Sequence, residues 1–214
     1  MKTDFFEIKG FPDVLGIMDC VHVPIISPGG PKSEFYRNRK GWMSLNIQAI
    51  TGPQLQIFDI VIRWPGSTHD SRIFDNSAAK VRLESGELQG ILLGDAGYKQ
   101  TSYLYTPVST PQSEPEARYN FAHKATRNTV ERAFGVMKRR FPCLCRKLGN
   151  HLQTTTRIIA ACAVLHNLGR LWDPRDFPLD IHIDTNLRIE TDRIPEYNRG
   201  NAIKHAFIER HFTN

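Results

Sequence analysis

The stretch DVLGIMDCVHVPI, residues 13–25, is apolar and rich in β-branched side chains, and it carries one carboxylate, Asp19, in its interior. Such a run is typical of a buried β-strand. An ionised carboxylate inside an apolar strand costs free energy unless another group pairs with it. Asp19 therefore either forms an ion pair with a nearby Lys or Arg or belongs to a site that uses its charge.

Further strands are predicted outward from this stretch. The segments SLNIQAITG (residues 44–52) and QLQIFDIVIRW (residues 54–64) predict two strands joined by a hairpin at Gly52-Pro53. The segment GILLGDAGY (residues 90–98) predicts a short buried strand that ends at Asp95 before a glycine turn.

Helices are predicted between and after these strands. One begins near Ser71, with Ser67, Thr68 or Asp70 as its N-cap. Residues 155–171 predict a buried helix, because their centre is almost entirely apolar. Antiparallel strands followed by alternating elements predict an α/β fold, a mixed sheet flanked by helices.

The segment RNTVERAFGVMKRRF, residues 127–141, combines an apolar helix face with many basic side chains. Residues 122–140 predict a helix, which follows a Pro-, Ser- and Thr-rich loop over residues 106–119 and ends before Pro142. Its apolar face has helical spacing and consists of Val130, Phe134, Met137 and Phe141. Nine Lys or Arg lie within residues 118–147, where Glu131 is the only acid.

The composition is that of a mildly basic globular protein of 214 residues, with 28 Lys+Arg against 22 Asp+Glu and a net charge of +6. This charge favours polyanionic partners, and an ordinary basic protein fits it equally well. The apolar run at residues 158–165 is too short to span a membrane, and the N-terminus has no secretory pattern. We expect the four cysteines to be reduced thiols of an intracellular protein.

Four acids stand where a strand ends, lies buried or gives way to a helix, namely Asp19, Asp70, Asp95 and Glu131. Each has an ordinary structural explanation: an ion pair for Asp19, an N-cap for Asp70, a turn cap for Asp95, and a pair with Arg127 for Glu131. Carboxylates at the ends of adjacent strands repel one another, and hard divalent cations relieve this repulsion. Together these acids predict a metal site of the kind that catalyses phosphoryl transfer.

Thirty-five residues lie between Asp95 and Glu131, and this spacing after an earlier strand aspartate resembles the DDE triad of the RNase H-like transposase superfamily. Six motifs occur in the order GIMDCVHVPI, NRKGWMSLNIQAI, WPGSTHDSRIF, LLGDAGY, RYNFAHKATRNTVERAFGVMKRRF and ACAVLHNL. Together they resemble the PIF/Harbinger transposase family and the nucleases derived from it. The resemblance covers about residues 11–168.

This resemblance implies an RNase H-like fold and an endonuclease that cuts phosphodiester bonds in DNA with Mg²⁺ or Mn²⁺. The implied catalytic residues are Asp19, Asp95 and Glu131, and the implied metal ligands are these three together with Asp70. The basic helix offers contacts to nucleic-acid phosphates through Arg127, Lys138, Arg139 and Arg140. A solvated helix face explains Arg127 and Lys138 equally well. The loop after the first strand adds a second basic patch of Lys32, Arg37, Arg39 and Lys40.

The resemblance also suggests how the chain is organised. Residues 11–172 are predicted to form the RNase H-like DDE nuclease domain, and residues 173–214 an acidic, partly irregular C-terminal tail with a short helix near residues 202–212. Family members place a helix-turn-helix-like region before the first catalytic aspartate, whereas only 18 residues precede Asp19. We therefore expect no targeting module and no transposase activity in this chain itself. A separate Myb/SANT-like DNA-binding partner and a location in the nucleus and cytoplasm are implied.

Two other functions are compatible with the same residues. Domesticated transposases can keep the fold and lose catalysis, which would leave an inactive DNA- or protein-binding module. A metal-dependent phosphatase acting on small substrates would share the carboxylates, although it does not explain the basic helix.

Overall fold

The computed structural model describes residues 2–171, 182–184 and 197–213. The strands among these residues are β1 (Val14–Pro24), β2 (Ser44–Thr51), β3 (Ile57–Pro65), β4 (Ile91–Leu93), β5 (Leu104–Tyr105) and β6 (His182–Asp184). They form one mixed sheet in the order β5-β4-β1-β2-β3-β6. The predicted hairpin and the strand before Asp95 are confirmed.

Strand β1 lies at the centre of this sheet and pairs in both senses. It runs antiparallel to β2, with Asp19 opposite Ala49, and parallel to β4, with Ile17 opposite Leu93. A parallel pair needs a crossover connection, whereas an antiparallel pair needs only a tight turn. The chain therefore folds β1, β2 and β3 as a meander and crosses through two short helices before it forms β4.

Helices cover both faces of the sheet. They are α1 (Lys2–Lys9), α2 (Asp70–Asp75), α3 (Ala78–Glu84), α4 (Glu114–Arg140), α5 (Leu152–Leu171) and α6 (Tyr197–Phe212). On one face α4 contacts β1 and β2, α5 contacts β3, and α1 and α6 contact α4. On the other face α2 contacts β2 and continues into α3. The predicted α/β fold with a mixed sheet and flanking helices is confirmed.

The alternation of side chains along β1 separates two hydrophobic cores. Ile17 is buried in the larger core, which includes Val130 of α4, whereas Met18 is buried in a smaller core with Phe74 and Leu83. Successive side chains of a strand point to opposite faces of the sheet. The face toward which each polar residue of β1 points is therefore fixed by its position in the strand.

Helix α4 is longer than the sequence predicted. It begins at Glu114, eight residues before the expected start, so the prediction of a loop was wrong for residues 114–119. The Ser113 side chain accepts a hydrogen bond of 3.4 Å from the Glu116 N–H, and Pro115 occupies the first turn. Both residues favour a helix start as readily as a loop.

The single helix predicted near Ser71 is divided in two. Helix α2 ends at Asp75, and Ser77 begins α3 by accepting a hydrogen bond of 3.2 Å from the Lys80 N–H. The N-cap of α2 is His69, whose ring nitrogen accepts from the Ser71 N–H at 3.4 Å. The proposed N-caps Ser67, Thr68 and Asp70 were therefore wrong.

The C-terminal helix predicted near residues 202–212 is present as α6 and packs on the core. Phe207 and Phe212 lie 5.7 and 5.6 Å from Phe11, measured between ring centroids. The predicted acidic segment at residues 173–196 lies outside the described residues apart from β6, so the division into residues 11–172 and 173–214 stays a prediction. Within the described part of the chain, no helix is long and apolar enough to cross a membrane.

Candidate active site

Asp19 and Asp95 come from neighbouring parallel strands and reach the same level of the sheet. Ile17 lies opposite Leu93, and each aspartate follows its paired residue by two positions. Side chains two positions apart in a strand share a face, so Asp19 points toward α4 as Ile17 does. Asp95 follows the end of β4 in a turn, where its Oδ1 accepts a hydrogen bond of 2.9 Å from the Gly97 N–H.

Helix α4 brings Glu131 to the same face through Arg127. Nη1 of Arg127 donates to Oδ2 of Asp19 at 2.6 Å, and Nη2 donates to Oε1 of Glu131 at 2.8 Å. Arg127 and Glu131 are four residues apart and share one side of the helix. The neighbouring Val130 is fully buried in the larger core, which holds this part of α4 against the sheet. One guanidinium thus separates two of the predicted catalytic acids.

The carboxyl group of Asp19 has a raised pKa. Burial is the largest cause, because a surrounding of low dielectric constant disfavours the charged form. The guanidinium of Arg127 and the N–H of Cys20, which donates to Oδ1 at 2.8 Å, act in the opposite direction. The charge of Asp95 adds to the rise. A further cation beside them would lower the cost of keeping both ionised.

Asp70 lies on the opposite face of the sheet from Asp19. Nδ2 of Asn46 donates to Oδ1 of Asp70 at 2.8 Å, and Asn46 is paired with His22 in the β1–β2 register. Because His22 is three positions from Asp19, its side chain points away from α4. The structure therefore links Asp19 to Glu131 through Arg127 and places Asp95 at the level of Asp19 in the sheet. Asp70, the first residue of α2, lies on the other face.

A buried polar network connects α2 with the end of β4. Nε2 of Gln48 donates to the Tyr98 hydroxyl at 3.1 Å and to the Asp70 carbonyl at 3.3 Å. The Tyr98 hydroxyl also lies 3.3 Å from Sγ of Cys20, the residue that follows Asp19 in β1. These contacts hold the backbone at Asp70 and Tyr98 against the middle of β1 and β2.

The sequence analysis did not predict this network, although the sequence of β2 contains a signal for it. Polar residues alternate with apolar ones over residues 44–49 of β2, and the structure buries these three polar residues: Ser44, Asn46 and Gln48. Alternation usually indicates that the polar face meets water, and only the position of α2 shows that this face is covered. A further bond of 2.5 Å from the Ser71 hydroxyl to the Gly97 carbonyl joins α2 to the turn that holds Asp95.

Replacing Gln48 with leucine is expected to lower the free energy of unfolding by about 1–3 kcal/mol, because the Tyr98 hydroxyl and the Asp70 carbonyl lose their buried donor. Urea denaturation followed by circular dichroism measures this change. Gln153→Leu makes the same substitution at an exposed position of α5, and it is expected to change stability by no more than about 0.5 kcal/mol. Equal losses in the two variants would contradict a structural role for the network.

The segment of the chain that contains these acids matches a known sequence family. The model of a family described as DDE superfamily endonuclease matches residues 18–167, a range that contains Asp19, Asp95 and Glu131. The chain belongs to the DDE superfamily endonuclease family. The predicted RNase H-like arrangement of the sheet and helices is thereby confirmed.

Several curated relatives of this family member are similar over most of the chain. It is 34% identical over 172 residues to the Homo sapiens protein named "Putative nuclease HARBI1", which covers 78% of this chain and 49% of that protein. Against the Mus musculus protein of the same name, identity is 34% over 211 residues, with coverage of 91% and 60%. "Protein ALP1-like" of Arabidopsis thaliana is 26% identical over 200 residues, with coverage of 84% and 48%.

The predicted resemblance to PIF/Harbinger-derived nucleases is confirmed by these relatives. The chain spans about half the length of the human and Arabidopsis proteins. No solved structure matches the chain.

The acids of this DDE family member have the donor chemistry of a divalent-metal site. Carboxylate oxygens are the ligands that Mg²⁺ and Mn²⁺ prefer, and Oδ2 of Asp95 makes no hydrogen bond within the described residues. As placed, no three His, Cys, Asp or Glu side chains in the described part of the chain stand close enough to hold a metal ion. Arg127 supplies the positive charge between Asp19 and Glu131 instead. The residue types fit a divalent cation.

The basic residues at the end of α4 differ in what they contact. Nζ of Lys138 donates to the His22 carbonyl at 3.2 Å, and burial lowers the pKa of this lysine. Nη1 of Arg140 donates to the His166 carbonyl at 3.4 Å. Arg139 is exposed. Of these three predicted phosphate contacts, Arg139 and Arg140 are exposed, and Lys138 and Arg140 each donate to a backbone carbonyl.

The basic loop between β1 and β2 lies close to the end of β1. Arg37 is exposed and held in an ion pair of 2.7 Å with Glu34. Lys32, Arg39 and Lys40 are exposed as well. The pKa of His22 is lowered, first by burial and further by the charges of Arg39, Lys138 and Lys40. Cations from this loop and from α4 therefore approach the same end of the strand that carries Asp19.

Proposed function

We propose that this chain is a divalent-metal-dependent nuclease that hydrolyses phosphodiester bonds in DNA. The observation that carries the proposal is the level placement of Asp19 and Asp95 on parallel strands, with Glu131 of α4 facing them across Arg127. The family match and the relatives named as nucleases support it.

In this proposal Asp19, Asp95 and Glu131 hold Mg²⁺ or Mn²⁺. Such ions, when bound, lower the pKa of a water molecule and stabilise both oxygens of an in-line displacement. The protein fixes the ligand positions, because the β1–β4 pairing sets the two aspartates and the buried face of α4 sets Glu131. Asp70 supports the site from the other face through Asn46 and the Gln48 network.

The first test is nicking of supercoiled plasmid DNA by the purified chain. We expect conversion to the open-circular form with Mg²⁺ or Mn²⁺, and none with EDTA, because the ligands without a metal cannot activate water. Equal nicking with and without EDTA would contradict metal dependence and would point to a contaminating enzyme.

A second candidate function is a DNA- or protein-binding module without catalysis. The ion pairs of Arg127 favour it, since they occupy Asp19 and Glu131 and no three candidate ligands in the described residues approach one another at metal-binding distance. The two candidates differ in the plasmid assay. A chain that binds DNA and cuts it with neither ion is a binding module.

The exposed cations of the β1–β2 loop are proposed to follow the DNA backbone together with Arg139. Replacing both Arg39 and Lys40 with alanine is expected to weaken duplex binding and to reduce the slope of log K against log salt by about 2, since each phosphate contact releases roughly one counterion. Fluorescence anisotropy with a labelled duplex, repeated over a series of salt concentrations, measures both effects.

The matched control for this double variant removes the same two charges from α3. Lys80 and Arg82 form ion pairs with Asp75 and Glu87, at 2.8 and 2.7 Å. Their replacement by alanine is expected to leave the salt slope within about 0.5 of wild type. Equal slopes for both double variants would contradict a phosphate-binding role of the loop.

Targeting and location are proposed on the family resemblance. In this proposal a separate Myb/SANT-like DNA-binding protein directs the chain to its sites, and the chain resides in the nucleus and cytoplasm. Co-expression of the tagged chain with such a protein, followed by imaging of its nuclear fraction, tests both statements.

A further inference from the structure

The guanidinium of Arg127 occupies both carboxylates that a metal ion would need on this side of the site. It donates 2.6 Å to Oδ2 of Asp19 and 2.8 Å to Oε1 of Glu131. The side chains of Arg127 and Asp19 are only 21% and 17% exposed, so water competes little for this pairing. Arg127 is thus the cation that bridges Asp19 and Glu131.

Both oxygens of Asp19 have a hydrogen-bond donor. Oδ1 already accepts from the Cys20 N–H at 2.8 Å, and Oδ2 accepts from Arg127. A guanidinium has donors only and stays charged at any pH a protein tolerates. A divalent ion bound to Oδ2 would lie beside this guanidinium, so repulsion between the two cations disfavours the presence of both at Asp19.

We propose that Arg127 is a positioning residue that takes the place of the metal in the metal-free protein and competes with it for Asp19 and Glu131. The inference rests on the proposed metal-dependent function. Binding of the ion releases the guanidinium, whose planar donors then suit a phosphate of the nucleic acid. Arg127 thus keeps the two acids neutralised until the metal replaces it.

The test is a titration of the full chain with Mn²⁺ in the absence of DNA. The electron paramagnetic resonance signal of the free ion measures how much Mn²⁺ is bound. Arg127→Gln keeps much of the side-chain length and removes the charge, so we expect Mn²⁺ to bind about tenfold more tightly than in wild type. A purely structural role predicts weaker binding instead. Unchanged or weaker binding by this variant would overturn the inference.

A matched control is Arg132→Gln, which removes the same charge from an exposed position of α4. We expect its Mn²⁺ affinity to stay within about twofold of wild type, because a solvent-exposed charge is strongly screened. Equal tightening in both variants would assign the effect to net charge and overturn the competition between Arg127 and the metal.

A second measurement covers the case in which Arg127→Gln folds poorly without metal. Saturating Mn²⁺ is expected to raise its unfolding temperature more than that of wild type, since binding to the folded state stabilises it by mass action. A smaller rise than in wild type would overturn the inference. Neither Mn²⁺ affinity nor the rise in unfolding temperature depends on DNA cleavage. If the chain shows both expected effects and does not cut DNA, the proposed nuclease function is contradicted and the competition between Arg127 and the metal is not.

Discussion

A chain in which Asp95 is replaced by asparagine is expected to nick plasmid DNA about 10³-fold more slowly than wild type in saturating Mg²⁺ or Mn²⁺. Asparagine keeps the size of the side chain and the oxygen that accepts from the Gly97 N–H at 2.9 Å. It removes the negative charge beside Asp19 that a metal ion would use. The loss is expected in rate alone, with the unfolding temperature unchanged or slightly raised, because the removed charge repels Asp19.

The control for this variant is Asp75→Asn, the same substitution at an acid of α2. The Asp75 carboxylate pairs with Lys80 of α3 at 2.8 Å. The nicking rate of Asp75→Asn is expected to stay within about twofold of wild type, because surface ion pairs contribute little. Glu131→Gln is expected to lose activity as Asp95→Asn does. Nicking by Asp95→Asn at more than about a tenth of the wild-type rate would place the reaction outside this site.

Acidification is expected to destabilise the chain by about 3 kcal/mol through His123, whose pKa burial lowers from 6.5 to about 4. Its Nε2 lies 3.0 Å from the Tyr105 carbonyl, and the charges of Arg127 and Lys204 lower the pKa further. The unfolded chain binds a proton that the folded chain excludes. The stability is therefore complete above pH 6.5 and is lost as the pH falls from there toward 4.

Urea denaturation over this pH range measures the effect. His123→Gln is expected to be less stable than wild type at neutral pH but to show a flatter dependence on pH. Part of the slope is expected to persist, because burial also lowers the pKa of His166. His151→Gln, at an exposed position, should keep the wild-type slope. A slope unaffected by His123→Gln would show that another group carries the pH dependence.

The parts of the site that could be predicted from sequence are those set by local pattern and spacing. An aspartate inside an apolar strand, another at the end of a short strand, and a glutamate beside an apolar helix face were each visible in the sequence. The apolar face of α4 was predicted correctly for Val130, Phe134 and Met137, which are buried. Such features depend on the spacing of apolar residues along the sequence and not on tertiary contacts.

The parts that could not be predicted depend on which elements meet. Asp70 could be located near a helix start, but only the packing of α2 against β2 places it on the face away from Asp19. Arg127 was predicted to contact phosphate because it lies on a basic helix. Its pair with Glu131, four residues along the helix, was visible in the sequence. Its pair with Asp19, 108 residues away in sequence, became apparent only when β1 was placed beneath α4.

Helix α6 makes the folded protein a candidate for fragment complementation. Its Phe207 and Phe212 rings contact Phe11, which also packs on Tyr119 of α4 at 5.4 Å. A peptide bond cut between α5 and α6 would leave two pieces with matching apolar surfaces, held together by burial instead of by the backbone. The larger piece would retain every residue of the candidate site. The dependence of its Mn²⁺ affinity on an added α6 peptide would measure how far the aromatic contact with α4 supports the position of Glu131.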